Sequence, residues 1–97
     1  MAKADYTYAL REMDGQKFIC IIDQNRGNMS VTNNIEEVVD EILAKEKINS
    51  ADHLIVYRDT DGSWDGWDHD RRAFVHLNSR DQYSAMKNYI KHFSKVY

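Results

Sequence analysis

The sequence predicts an α+β fold, a two-layer sandwich with two helices on one face of an antiparallel sheet of four to five strands. Five short segments either alternate apolar and polar residues or are continuously apolar, as β-strands are. Two of the loops between them contain Asp-Gly, a pair that accepts the positive φ angles of tight hairpin turns. Two further segments place apolar residues along one helical stripe, which must pack against another element. The predicted order is ββαβββα, in a single domain over residues 1–97.

The N-terminal segments predict a β-hairpin. Residues 5–13 alternate between apolar and polar side chains, as a strand with one covered face does. Residues 17–23 are apolar on both faces, which is typical of a strand with cover on each side or in a central position. Asp14-Gly15 lies between them and provides the turn.

The first helix is predicted by a continuous apolar stripe. Its members are spaced i, i+3, i+4, i+7 and i+8: Ile35, Val38, Val39, Ile42 and Leu43. Asn33 is the predicted N-cap, and Glu36 stands in the capping-box position three residues later. Glu36 and Glu37 also suit the positive end of the helix dipole, and Lys45 and Lys47 suit the other end.

The C-terminal half predicts three more strands and a second helix. The strands are expected over residues 53–60, 63–68 and 72–77, with Asp61-Gly62 turning the first pair into a hairpin. Ser79 is the predicted N-cap of the last helix. Its apolar stripe contains Tyr83, Met86, Tyr89, Ile90 and Phe93, and its basic face contains Lys87, Lys91 and Lys95.

The charge is divided along the chain, although the net charge is only −3. Residues 32–70 contain eleven acids and three bases, a net of −8, whereas residues 71–97 contain six bases and one acid, a net of +5. If the two helices are neighbours, the two blocks compensate each other within the fold. If the helices are apart, the acidic half is free to attract a partner. The sequence leaves both arrangements open.

Residues 59–70 combine five acids, two glycines and two tryptophans. Asp61, Ser63 and Asp65 match positions 1, 3 and 5 of a calcium-binding loop, but position 12 is Arg72 where a bidentate Glu is needed. A hairpin whose Asp and Gly residues form turns is the simpler interpretation.

The tryptophans of this hairpin are an odd number of residues apart. Trp64 and Trp67 therefore cannot share a strand face without a bulge, for which Gly66 is the candidate. At least one of them is expected to be exposed, and an exposed Trp is a candidate binding anchor.

Catalytic and metal sites are not indicated. Cys20 lies between Phe18 and Ile22 on one strand face, which favours a buried structural thiol. The four histidines are scattered, without the short spacing of metal ligands. We expect no catalytic residue, no cofactor, no metal and no enzymatic activity.

The location is expected to be cytoplasmic. The chain has one cysteine, its first ten residues lack the apolar core of a signal peptide, and no apolar stretch reaches the roughly 20 residues that span a membrane.

Two stretches carry a resemblance to a group of small proteins. Ser30-Val31-Thr32-Asn33 leads into a helix, and residues 56–65 read Val-Tyr-Arg-Asp-Thr-Asp-Gly-Ser-Trp-Asp. Together they resemble small, uncharacterised bacterial and phage proteins with an SVTN helix start and a YRD-x-x-G-x-WD hairpin. The resemblance implies a phage or mobile-element origin, and a small acidic-faced domain that acts by binding a host protein.

The leading hypothesis is a non-enzymatic protein-interaction module that binds another protein, a host factor if the chain is phage-derived. Its contact surface is predicted to comprise Glu37, Asp40, Glu41, Asp59, Asp61, Trp64, Asp65, Trp67 and Asp68. In a sharper version, these carboxylates mimic nucleic-acid phosphates, which requires the basic helix to lie on the opposite side.

Two alternatives belong to other classes. A nucleic-acid-binding domain would use the basic C-terminal helix, although the acidic block would repel phosphate. A metal-binding module or small enzyme would use the Asp-rich hairpin. An open edge strand, the first or the fifth, could also pair two copies into a homodimer.

Overall fold

The computed structural model describes residues 5–24 and 30–94. Its strands and helices follow in the predicted order, and the α+β class is confirmed. The elements are β1 (Tyr6–Met13), β2 (Gln16–Asp23), α1 (Ile35–Glu46), β3 (His53–Arg58), β4 (Trp64–Asp68), β5 (Ala73–Ser79) and α2 (Gln82–Ser94).

The five strands form one sheet in the order β1-β2-β3-β4-β5, so that β1 and β5 are its edges. The prediction of a wholly antiparallel sheet is wrong, because β2 and β3 pair in parallel while the other neighbours pair antiparallel. The segment between β2 and β3 contains α1 and crosses over the sheet. Such a crossover brings the chain back to the end where β2 began, so β3 runs in the same direction.

The two helices cover opposite faces of the sheet, and the prediction of two helices on one face is wrong. Side chains alternate along β2, so Ile19 and Ile21 pack with the stripe of α1, whereas Phe18 and Cys20 pack with Met86 of α2. The arrangement therefore has three layers, with one hydrophobic core on each side of the sheet.

The helix starts differ from the predicted caps. A 3₁₀ turn over Thr32–Asn34 precedes α1. The N-cap of α1 is Asn34 rather than Asn33, and its side chain makes no capping hydrogen bond. At the start of α2 the side chain of Asp81, rather than that of Ser79, accepts the amide of Ser84 at 2.7 Å.

The apolar stripe of α2 is narrower than predicted. Ala85, Met86 and Tyr89 are buried, but Tyr83 is 65% exposed. Lys87 and Lys91 are exposed on this helix, and Lys95 lies outside the described residues.

The bulge predicted at Gly66 lies on the partner strand. Trp64 pairs with Ser79 and Gly66 with Val75, so Asp65 alone faces three residues of β5. Asn78 adopts a φ of 48°, and the Asp65 carboxylate accepts the amides of Leu77 and Asn78 at 2.9 and 3.0 Å. The bulged backbone is therefore satisfied by a side chain of β4.

In residues 5–24 and 30–94, neither helix has the length and apolar character needed to cross a bilayer.

Candidate functional site: the acidic α1 surface and its groove

Both hairpin tryptophans are buried. Trp64 is 5% exposed and Trp67 is 4% exposed. Trp64 packs in the core beneath α2 and Trp67 packs in the core beneath α1. The prediction of an exposed Trp is therefore wrong: the odd spacing does place the two rings on opposite faces, but a helix covers each face.

Four of the predicted site acids stabilise turns and strand ends. Asp59 accepts the amide of Thr60 at 2.7 Å and the hydroxyl of Thr32 at 2.8 Å. Asp61 accepts the hydroxyl and the amide of Ser63, and these bonds lower the pKa of its carboxyl. Asp65 holds the bulge, and Asp68 accepts the amide of Arg71 at 3.1 Å.

These contacts argue for the turn interpretation of the Asp-rich hairpin. A carboxylate that is bonded to its own turn has fewer oxygen lone pairs free for a cation. Within the described ranges, no three side chains of His, Cys, Asp or Glu are grouped so that they could hold a metal ion.

The remaining predicted acids lie on the outer face of α1. We define the acidic α1 surface as the exposed carboxylates of this helix at its first three turns: Glu36, Glu37, Asp40 and Glu41. The prediction placed Glu36 in a capping box and left it out of the site. No cap bond forms, and Glu36 points its charge to solvent with the others.

Two members of this surface are tied to the sheet. Glu41 accepts the hydroxyl of Tyr6 on β1, and burial together with this bond raises the pKa of the Tyr6 phenol. Asp40 lies 2.7 Å from Nε2 of the buried His69. The side chains of Glu36 and Glu37 make no hydrogen bond or ion pair with the residues that the structure describes, so their charges are more available to a partner.

His69 connects α1 to the end of β4. The indole N–H of Trp67 donates to Nδ1 of His69 at 3.0 Å, and Nε2 of the same ring lies 2.7 Å from the Asp40 carboxylate. Arg72 places Nη1 at 3.2 and 3.0 Å from the two ring nitrogens. These contacts tie α1 to the end of β4.

A groove of about 430 Å³ opens between the start of α1 and the β4–β5 end of the sheet. Its lining is Thr32, Asn33, Asn34, Ile35, Glu36, Glu37, Trp67 and Phe74. Phe74 is 45% exposed, and its ring packs against Trp67 with centroids 4.8 Å apart. The groove therefore combines an aromatic floor with two carboxylates at its rim.

The opposite side of the molecule carries basic residues. We define the basic α2 surface as Lys87 and Lys91, both of them exposed. Because α1 and α2 cover opposite faces of the sheet, the lysines of α2 cannot pair with the carboxylates of α1.

Cys20 is a buried thiol, as predicted. Its Sγ lies 3.9 Å from Sδ of Met86, and burial raises the pKa of the thiol to about 11. A thiol in this state is a weak nucleophile, because the reactive form is the thiolate.

Comparisons with protein-family models, with curated proteins and with solved structures find no match to this chain.

The structure thus brings together Glu37, Asp40, Glu41 and the buried Trp67, and assigns the hairpin acids to turns. The prediction missed Glu36 and Phe74. The sequence carries a signal for Glu36, since it adjoins Glu37 in a first turn, whereas the exposure of Phe74 depends on the edge position of β5.

Proposed function

We propose that the chain is a non-enzymatic protein-interaction module that acts in the cytoplasm and binds a basic partner through the acidic α1 surface. If the chain derives from a phage, the partner is a host protein. The observation that carries this proposal is the separation of the two helices by the sheet, because the lysines of α2 then cannot neutralise the carboxylates of α1.

The residues of the acidic α1 surface support the proposal in two ways. Asp40 and Glu41 are anchored to His69 and Tyr6, so their carboxylates keep a fixed position and lose little entropy on binding. Glu36 and Glu37 are exposed beside a groove, where a partner can desolvate them. Charges arranged in this way raise the association rate of an oppositely charged partner.

The same arrangement supports the nucleic-acid-mimic form of the proposal. That form needs the carboxylates on one exposed face and the basic helix on the opposite side. It is supported by the two separate cores, one beneath α1 and the other beneath α2. The partner would then be a host protein that normally binds DNA or RNA phosphates.

Charge reversal on the α1 surface should abolish partner capture. The test uses the tagged chain to capture proteins from a lysate of the organism that encodes it, at low and at raised salt. We expect Glu36→Lys/Glu37→Lys to lose the partner that the unmodified chain retains, and we expect that partner to elute as salt rises, because salt screens exposed charges. Neither residue takes part in the His69 network or in the Tyr6 bond.

Two matched variants serve as controls. Glu12→Lys/Asp52→Lys adds the same positive charge at exposed acids outside the α1 surface, and Lys87→Glu/Lys91→Glu reverses the basic α2 surface. Both should retain the partner. Capture that survives the α1 reversal, or that is lost equally in the Glu12/Asp52 control, would contradict the proposal.

The basic α2 surface supports a second candidate function, the binding of nucleic acid. Lys87 and Lys91 lie one helical turn apart, and the sheet separates them from the acidic helix. A gel shift at low salt with Lys87→Glu/Lys91→Glu decides between the two functions. If the unmodified chain retards nucleic acid and the Lys87→Glu/Lys91→Glu variant does not, nucleic-acid binding is favoured over protein binding.

A further inference from the structure

We infer that the groove beside α1 receives an arginine side chain of the basic partner. This inference rests on the proposed function and specifies the chemistry of the partner at one position. It starts from the lining of the groove, in which the buried Trp67 and the half-exposed Phe74 form the floor and Glu36 and Glu37 lie at the rim.

The size of the groove suits one long side chain. Pockets for whole small-molecule ligands occupy about 300–1,000 Å³, so a groove of about 430 Å³ has ample room for one extended side chain. Phe74 lies on the edge strand β5, beyond the cover of α1, so part of its ring remains available after it packs on Trp67 and Tyr57.

The charge at the groove favours a cation over an anion. A helix N-terminus by itself attracts anions through its free amide groups. Here Glu36 and Glu37 occupy that first turn, and the preceding amides of Asn33 and Asn34 already bond to Ser30 Oγ and to the carbonyl of Val31. An anion would have to approach two carboxylates, whereas a cation would be attracted by them.

Arginine fits this combination better than lysine does. A guanidinium is planar, stacks on aromatic rings and presents several N–H donors in one plane, so it can contact Phe74 and a carboxylate of Glu36 or Glu37 together. An ammonium group is a compact, strongly hydrated charge and gains less from the ring.

The test titrates three small probes into the ¹⁵N-labelled full chain at low salt and follows its amide resonances by NMR. The probes are N-acetyl-arginine amide, N-acetyl-lysine amide and N-acetyl-citrulline amide, the last of which keeps the shape of arginine without its charge. We expect saturable shifts from the arginine probe at residues 32–37, at Phe74 and at the indole N–H of Trp67. Binding of the lysine probe should be roughly five-fold weaker, and the citrulline probe should not bind.

Variants locate the binding site. Phe74→Ala and Glu36→Gln/Glu37→Gln should each weaken arginine binding by roughly five-fold or more. Tyr83→Ala removes an exposed aromatic ring on the opposite face and should leave the affinity unchanged. The same spectra report whether each variant folds. If Phe74→Ala does not fold, the Glu36→Gln/Glu37→Gln variant alone provides the test.

Three results would overturn the inference. The arginine and lysine probes could bind equally well, or the arginine probe could shift only resonances of residues outside the groove. Inorganic phosphate could also shift the groove resonances in a saturable way, which would identify an anion site. A failure of the proposed function can be distinguished from a failure of this inference. If Glu36→Lys/Glu37→Lys loses the partner while arginine and lysine probes bind equally, the acidic surface stands and the arginine groove falls. If arginine is selected but partner capture survives the charge reversal, the groove stands and the proposed function falls.

Discussion

Replacing Trp67 by alanine should lower the free energy of unfolding by about 3–5 kcal/mol, the usual cost of truncating a large buried aromatic side chain. The indole is 4% exposed and packs in the core between α1 and the sheet. It also contacts the ring of Phe74 and donates its N–H to His69. Alanine removes all three contacts and leaves a cavity beneath α1.

A phenylalanine at the same position separates packing from hydrogen bonding. Trp67→Phe keeps an aromatic ring in the core but removes the donor to His69 Nδ1, which should cost about 1–3 kcal/mol. Urea denaturation of the two variants and the unmodified chain measures both losses. A loss below about 1 kcal/mol for the alanine variant would contradict the buried position of Trp67, since exposed sites usually change stability by less than that.

Replacing Gly66 by alanine should destabilise the protein by about 1–3 kcal/mol through overpacking. A Cβ at this position would lie 2.8 Å from Cε2 of Tyr89 and 3.2 Å from Cδ1 of Leu77. The ring of Tyr89 is buried and cannot swing away. The backbone itself is not the obstacle, because Gly66 is not among the described residues with positive φ.

The sign of this effect is diagnostic. Alanine in place of an interior strand glycine normally stabilises, because it restricts the unfolded chain, so a loss identifies the collision with Tyr89. In a Tyr89→Leu background the same change should be close to neutral, and a double-mutant cycle from urea denaturation gives the coupling. Stabilisation by Gly66→Ala in the unmodified chain would show that α2 does not pack on β4 in this way.

Local chemistry made much of the fold predictable. Asp14 and Gly15 both adopt positive φ in the first hairpin turn, as the pair predicts, and Gly62 does so in the second. Four of the five predicted stripe residues of α1 are buried, and the fifth, Leu43, is half-buried at its end. These features depend on neighbouring residues only, and a single sequence contains that information.

The relative position of the two helices was not predictable in the same way. A helical stripe indicates which residues of a helix are buried, but not against which face of a sheet. One signal did point to the answer: residues 17–23 are apolar on both faces, so cover on both sides was the physically consistent choice. Assigning both helices to one face left Phe18 and Cys20 without cover.

Some residues of the candidate site were likewise predictable from the sequence, and others were not. The hairpin acids resembled a binding surface because composition cannot distinguish a free carboxylate from one bonded to backbone amides, as Asp65 is to Leu77 and Asn78. Glu37, Asp40 and Glu41 were predictable from helical spacing alone. Phe74 was not, because its exposure follows from the sheet order.

The measurement that tests the central claim most directly is a set of NOE contacts, because the proposals require the acidic and basic helices to lie on opposite faces of the sheet. We predict contacts between the Met86 methyl group and Phe18 and Cys20, and contacts from Val39 and Ile42 to Ile19 and Ile21. Contacts from Met86 to Ile19 or Ile21 would place both helices on one face, where their charges compensate, and would contradict the account.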